Sequence, residues 1–263
     1  MDVIAFQSVS KVFGHQRGLF KRAATDPSFA LRDISLRVSS GSVLAVLGPN
    51  GSGKTTLLKL ISTMLLPDQG RVLVHGSDTR RHAQQVRSQV GFAISGERSF
   101  FPRLTARENL EFFAALDNVG PKIRRGRIGT ILARTGLLAM ADIWVSNFSS
   151  GMYQKLAIAR ALMKPLSVLL LDEPTRSLDP VAASEIRTLV RELSAEGTTV
   201  VIASHNFEEV AAVADSVLVL RRGKIDAACG VSPITVEAMQ SLYSQSTEAA
   251  DIRDAACVLE RVS

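Results

Sequence analysis

Cysteine is scarce in this chain of 263 residues: Cys229 and Cys257 are the only two, and their spacing matches no metal-ligand pattern. That usage fits a reducing, cytoplasmic setting. Long apolar runs are missing too. The most extended, such as Val43–Leu47 and Val168–Leu171, last only a few residues. A bilayer-crossing helix needs about 20, so no membrane span is expected. The start, Met1-Asp2-Val3-Ile4, lacks the basic stretch and apolar run of a secretory signal, and none is expected. Internal repeats and low-complexity tracts are also missing.

What is present is an ordinary globular balance, 46% hydrophobic and 21% charged, with a net charge of +6. Such a chain can bury a core of useful size. The positive balance gathers in two clusters, Arg17, Lys21 and Arg22, then Lys122, Arg124, Arg125 and Arg127. Solvated loops are the first reading, with anionic lipid headgroups and nucleic acid as alternatives. The second cluster has no interleaved aromatics to stack bases, so no nucleic-acid partner is expected.

Hydrophobic periodicity outlines an alternation of strands and helices. Residues 2–13 and 30–38 alternate as strands, and residues 14–29 read as a loop. Residues 42–47 form a continuous apolar run of the kind a buried parallel strand shows. Thr55–Leu66 has helical spacing, and Arg71–His75 is a short strand. The middle, roughly 97–165, is helical in character, with helices over Glu108–Leu116, Ile128–Leu138 and Met152–Met163. Strands at Ser167–Leu171 and Thr198–Ala203 flank a helix at Val181–Glu196, a crossover pattern. A terminal hairpin follows at Val217–Leu220 and Lys224–Ala227. From about residue 231 the tail is polar with scattered apolar positions, enough for a helix or two.

One segment carries phosphate chemistry. Gly48-Pro49-Asn50-Gly51-Ser52-Gly53-Lys54-Thr55-Thr56 satisfies G-x-x-x-x-G-K-[ST], with an apolar strand before it and an apolar helix after it. The glycines let the backbone turn tightly, so that consecutive N–H groups and the helix N-terminus face a phosphate. Lys54 adds a cation near the β- and γ-phosphates, and the Thr55 hydroxyl can ligate Mg²⁺. A chance glycine-rich turn is a poor account in that context. Farther on, Val168–Leu171 ends in Asp172-Glu173. Carboxylates at the C-terminal end of a parallel strand sit where open α/β sheets place ligands. Asp172 suits Mg²⁺, and Glu173 suits the orientation or deprotonation of an attacking water. Together these segments predict ATP and Mg²⁺ binding with hydrolysis.

A third segment, Phe148-Ser149-Ser150-Gly151-Met152 followed by Tyr153-Gln154-Lys155-Leu156-Ala157-Ile158-Ala159-Arg160-Ala161-Leu162, resembles the signature of ATP-binding cassette (ABC) transporter subunits. The family pattern is L-S-G-G-Q and a basic helix ending in A-R-A-L. Ser149 and Gly151 match it, while Phe148, Ser150 and Met152 are substitutions similar to those of bacterial export-type subunits. The resemblance implies an α/β fold, a P-loop NTPase cassette with a mostly parallel core sheet, an N-terminal antiparallel β region and a helical subdomain at about 97–165. It covers about residues 2–230, leaving 231–263 as a C-terminal extension.

It also implies further roles. The signature residues Ser149, Ser150, Gly151 and Met152 would act on the nucleotide of an opposite subunit. Ser177-Leu178-Asp179 would cross the dimer interface. His205 would contact the γ-phosphate and keep the water placed. Phe13 would stack on adenine, with Phe20 and Phe29 as rivals in a loop longer than usual. One position departs: the family's glutamine after a strand like Val90-Gly91-Phe92 is missing, and Glu97 or Ser95 is the candidate replacement at the metal. The implied partners are a separate transmembrane permease and a second nucleotide-binding subunit, identical or paralogous. The implied site of action is the inner face of the cell membrane, and the implied direction is export. A soluble cassette ATPase acting on DNA or the ribosome is the alternative. Against it, the gap between loop and signature holds no heptad run and the chain holds one cassette. A phosphoryl-transferring kinase is disfavoured by the signature.

Overall fold

Three strands are buried along their whole length: β3 (Val43–Leu47), β7 (Val168–Asp172) and β8 (Thr199–Ser204). Unbroken burial is what a parallel strand covered on both faces requires, and these runs supply it with valine, leucine and isoleucine. The computed structural model describes residues 1–14, 28–94, 100–230, 235–237 and 239–241. The basic cluster Arg17, Lys21 and Arg22 lies outside them, as do Phe20, Ser95 and Glu97.

The three strands are joined by β6 (Val90–Ile94), β9 (Ser216–Arg221) and β10 (Lys224–Gly230) in the order β10-β9-β3-β8-β7-β6. All neighbours are parallel except the hairpin partners β9 and β10 at one edge. A second sheet is antiparallel: β1 (Asp2–Phe13), β2 (Ser28–Ser39), β4 (Gln69–Val74) and β5 (Ser77–Asp78), in the order β2-β1-β4-β5. Helix α1 (Lys54–Ile61) fills the space between the sheets. Its Leu57, Leu58, Leu60 and Ile61 pack with Ile4, Phe6 and Ile34 of one sheet and Val46, Leu170 and Val201 of the other. Short α2 (Ala83–Gln89) leads into β6.

The other face of the parallel sheet is covered by helices. These are α3 (Ala106–Leu116), α4 (Pro121–Arg134), α5 (Ser150–Ala161) and α6 (Pro180–Ala195). Helix α3 begins with a reciprocal capping box between Thr105 and Glu108. Buried Asn109 then fixes the entering chain, accepting from Phe101 N and donating to Thr105 O. Helix α7 (Phe207–Val213) covers β3 and β9 from the side, with Met239 of the tail in the same cluster.

Two expectations are corrected. Helix α1 stops at Ile61 rather than Leu66, because Thr63 takes a left-handed φ of 62°. The cluster Lys122 to Arg127 is not a loop: Pro121 occupies the first turn of α4, and the chain is helical through Arg134. Two of its arginines turn inward, Arg124 donating to Val119 O and Arg127 to Leu162 O.

Candidate functional site

Register delivers the chemistry to one end of the parallel sheet. Leu47 pairs with Ser204, and Asp172 pairs with Ala203 on one side and Ile94 on the other. The residues just after three of these strands therefore emerge side by side: Gly48, His205 and Glu173. Between them and β2 lies a cavity of about 430 Å³, walled by Phe13, Phe29, Ala30, Asn50, Gly51, Gly53, Lys54, Thr55, Thr56, Asp172, Glu173 and Arg176.

The loop at 48–56 is shaped by what it touches. Gly53 has φ of 112°, and a Cβ there would lie 2.5 Å from Ala30 O and 2.7 Å from a Leu31 methyl. No other residue fits that approach to β2. Ser52 N donates to Pro49 O, and Ser52 O accepts from Gly223 N in the turn between β9 and β10. Lys54 is buried beneath the loop, its Nζ donating to Gly48 O at 2.7 Å and Pro49 O at 3.2 Å. Burial pushes the Lys54 ammonium below the usual lysine range, and the Glu173 and Asp172 carboxylates pull it back up.

Thr55, in the first turn of α1, donates its hydroxyl to Asp172 Oδ2 at 2.8 Å. Asp172 is buried, and burial pushes its carboxyl above the usual range against the Thr55 hydrogen bond. Two hard oxygen donors so placed, one of them a carboxylate, suit a magnesium ion. Glu173 follows with a left-handed φ of 52°, unusual for a side-chain-bearing residue and of the kind found at functional sites. Its backbone N–H donates to Ala203 O. Its carboxylate faces two nitrogens, with Oε1 4.0 Å from Lys54 Nζ and Oε2 2.6 Å from His205 Nδ1. The His205 ring is more than half exposed, so its other nitrogen is accessible.

Phe13 and Phe29 line the same wall, each with a cation over its ring, Lys11 at 5.7 Å and Arg32 at 4.5 Å.

The signature residues lie elsewhere. Ser149, Ser150, Gly151 and Met152 are not among the walls of this cavity. Ser149 caps α5, accepting from Met152 N at 3.2 Å, and stays exposed, its own O–H donating to no acceptor among the described residues. Gly151 is buried against α6, where an added Cβ would lie 2.9 Å from the Ala182 Cβ. Ser150 donates to Ser177 O, and Ser177 has φ of 59°. Leu178 is half-buried, and Asp179 caps α6 by accepting from Ala182 N at 2.9 Å. So the signature and the segment at 177–179 form one packed unit facing outward.

Three features had not been read from the sequence: the direct contact between Glu173 and His205, the place of Arg176 on the cavity wall, and α7 with its buried Glu209. The Asn206 cap followed by Glu208 and Glu209 is an N-terminal helix signal that could have revealed α7. A separate cavity of about 250 Å³ lies among α4, α5 and α6, far from the loop, with Lys155 and Glu185 on its wall paired to each other.

Comparison with known proteins agrees with this geometry. A family profile described as "ABC transporter" matches residues 31–176. The ABC transporter ATP-binding protein NatA of Bacillus subtilis is 37% identical over 214 residues, 81% of this chain and 84% of that protein. The daunorubicin resistance ATP-binding protein DrrA3 of Streptomyces coeruleorubidus is 39% identical over 196 residues, 74% of this chain and 62% of that protein. A sulfate/thiosulfate import ATP-binding protein, CysA of Thermosynechococcus vestitus, is 35% identical over 224 residues, 85% of this chain and 62% of that protein. Among solved structures, an ATP-binding cassette in a dimeric post-hydrolysis state bound to ADP and Pi superposes with a TM-score of 0.77. It is 25% identical and covers 88% of this chain and 100% of its own.

Proposed function

The chain belongs to the ABC transporter family as an ATP-hydrolysing cassette, and from that premise we propose that it drives a separate membrane permease through a site shared between two cassettes. The observation that carries this reading is the division of the machinery. Lys54, Thr55, Asp172 and Glu173 line the cavity, and His205, itself off the lining, meets it through its contact with Glu173, whereas the exposed Ser149 and its helix N-terminus lie outside it. A helix N-terminus with a free hydroxyl suits an anionic phosphate. With no phosphate of its own to contact, the segment is available to the nucleotide of a second subunit.

The roles follow from placement. The backbone of Gly48–Thr56 would cradle the phosphates, and Lys54 would exchange its bonds to Gly48 O and Pro49 O for phosphate oxygens. Thr55 and Asp172 would hold Mg²⁺, which when bound offsets phosphate charge. Glu173 would orient and deprotonate the water, and His205, held by Glu173 through Nδ1, would face the γ-phosphate with its outer nitrogen. Phe13 would stack on the base, with Phe29 as the neighbouring ring. Ser177, Leu178 and Asp179 would line the contact between subunits. ATP would favour the closed pair and hydrolysis would release it, a shift driven by differential affinity.

No helix among the described residues is long and apolar enough to cross a membrane. Work at the inner face of the membrane therefore needs the permease. Export is supported by the Phe148–Met152 variant and by the likeness to a daunorubicin resistance protein. The likeness to a sulfate/thiosulfate import protein points the other way, and the signature variant decides our preference.

Glu173→Gln tests the reading. Turnover is expected to fall by about 10²-fold or more, the range of a lost general base, with ATP still bound. The variant is expected to elute as a dimer with Mg²⁺ and ATP and as a monomer with ADP. Near-wild-type hydrolysis would sink the role of Glu173. A monomer under every nucleotide condition would sink the shared site.

A further inference from the structure

We infer that Glu209 is a positioning residue that ties the loop carrying Glu173 to the loop carrying His205, and so holds that pair in register. The inference rests on the roles given to those two residues above. Glu209 lies in the first turn of α7 and is only 2% exposed. A carboxylate there would ordinarily serve its own helix by facing the free N–H groups. That task is already filled, because the Asn206 side chain accepts from both Glu208 N and Glu209 N. The Glu209 carboxylate turns instead to two hydroxyls outside the helix. Ser204 Oγ donates to its Oε2 at 2.5 Å, and the Thr175 hydroxyl stands near enough to draw its carboxyl down.

Those two hydroxyls flank the reacting pair. Ser204 is fully buried and directly precedes His205, and its Oγ also accepts from Asn206 N at 3.0 Å. Thr175 follows Glu173 across Pro174. Glu173 itself is held in a left-handed conformation, which persists only where the surroundings over-determine it. Its N-terminal side is fixed by the bond from Glu173 N to Ala203 O. On the other side Thr175 presents its hydroxyl toward Glu209. Burial pushes the Glu209 carboxyl above its usual range while the Ser204 and Thr175 hydroxyls pull it down; of the charged groups it faces, Glu173 adds to the rise and Arg187 opposes it. A buried acidic group is thus held between the loops, satisfied by hydroxyls from both. It touches neither the phosphate loop nor the Thr55–Asp172 pair, so its loss should leave ATP binding alone and disturb the chemical step.

The test uses the full chain and steady-state ATP hydrolysis. Glu209→Ala is expected to lower kcat by about tenfold or more while KM for ATP stays within about twofold, the split of an interaction felt only in the transition state. Glu209→Gln, which keeps a carbonyl acceptor for Ser204 and an amide for Thr175, is expected to recover at least about half of the lost rate on the same measure. Thr175→Val removes only one hydroxyl and covers the case in which Glu209→Ala fails to fold; it too should lower kcat with KM unchanged. In a His205→Ala background, adding Glu209→Ala should cost less than it does in the wild-type chain. Unchanged kcat in Glu209→Ala or Thr175→Val overturns the inference, as does additivity with His205→Ala. If His205→Ala alone keeps full turnover, the assignment of His205 fails instead, and the result is read against that assignment.

Discussion

Replacing Gly151 by alanine should damage hydrolysis through packing rather than through any loss of nucleotide contact within the chain. The added Cβ would sit 2.9 Å from the Ala182 Cβ, closer than two carbons tolerate, and neither atom is the loose end of a long side chain. Helices α5 and α6 must therefore part slightly at their N-termini. Overpacking of this size costs about 1–3 kcal/mol, and the better helix propensity of alanine returns at most about 1 kcal/mol. A net loss near 1 kcal/mol lowers Tm by about 2–4 °C in a chain of this size. The larger effect is geometric. Gly151 follows Ser149 and Ser150, whose hydroxyls face outward and toward Ser177. A displacement approaching 1 Å there can cost up to about 10²-fold in rate. Turnover should thus fall by about tenfold or more, with ATP affinity within about twofold in a fluorescence titration. Adding Ala182→Gly removes the opposing Cβ and should restore most of the turnover, though not the Tm, because a helical glycine itself costs about 0.5–1 kcal/mol. If Gly151→Ala hydrolyses ATP normally, or if the double variant is no faster than the single one, the packing argument is wrong.

Three further substitutions probe the cavity. Burial holds the Asp172 carboxyl above its ordinary range, so its contribution favours the fold at low pH and is lost as pH rises through the raised value. Asp172→Asn should therefore raise the Tm of the nucleotide-free chain at neutral pH while abolishing the extra stabilisation that Mg²⁺ adds to ATP; a lower Tm in thermal melts would contradict this. Phe13→Ala should weaken ATP binding by about tenfold, the scale of one lost stacking contact, and Phe29→Ala by less; the opposite order in titrations would move the base to Phe29.

Much of this architecture was legible because the sequence states it locally. The all-apolar runs at Val43–Leu47 and Val168–Leu171, short and bounded by turns, read as covered strands, and the glycine spacing of the loop has a mechanical meaning before any fold is known. Reading failed where tertiary context overrides period. Met64 and Leu66 continue the apolar rhythm of α1, yet they are exposed, because the chain reverses at Thr63. The charges of Lys122 to Arg127 and the two glycines nearby hid the rhythm of α4, although Pro121 marked its first turn. Glu173 and His205 were each singled out, but their 2.6 Å contact depends on the register of β7 against β8, which no window of sequence contains. Glu97 and Ser95 lie outside the described residues, and the alternatives for that position stand. The target proposed for the signature lies on a second subunit, so one chain's own contacts would not show it.

The turn at Gly223 has a thermodynamic consequence. Its N–H holds Ser52 O, its carbonyl accepts from Arg32 N, and a Cβ on it would lie 2.8 Å from Ala30 O. The hairpin at the far end of the cassette thus latches the phosphate loop and the strand behind it. Fixing a residue's backbone costs about 1–2 kcal/mol of conformational entropy, and here that cost falls on folding, before any ligand arrives. Calorimetry should then record nucleotide binding without the large unfavourable entropy of an ordering loop. Loosening the hairpin, by contrast, would transfer that entropy to the binding step and weaken affinity from more than 150 positions away along the chain.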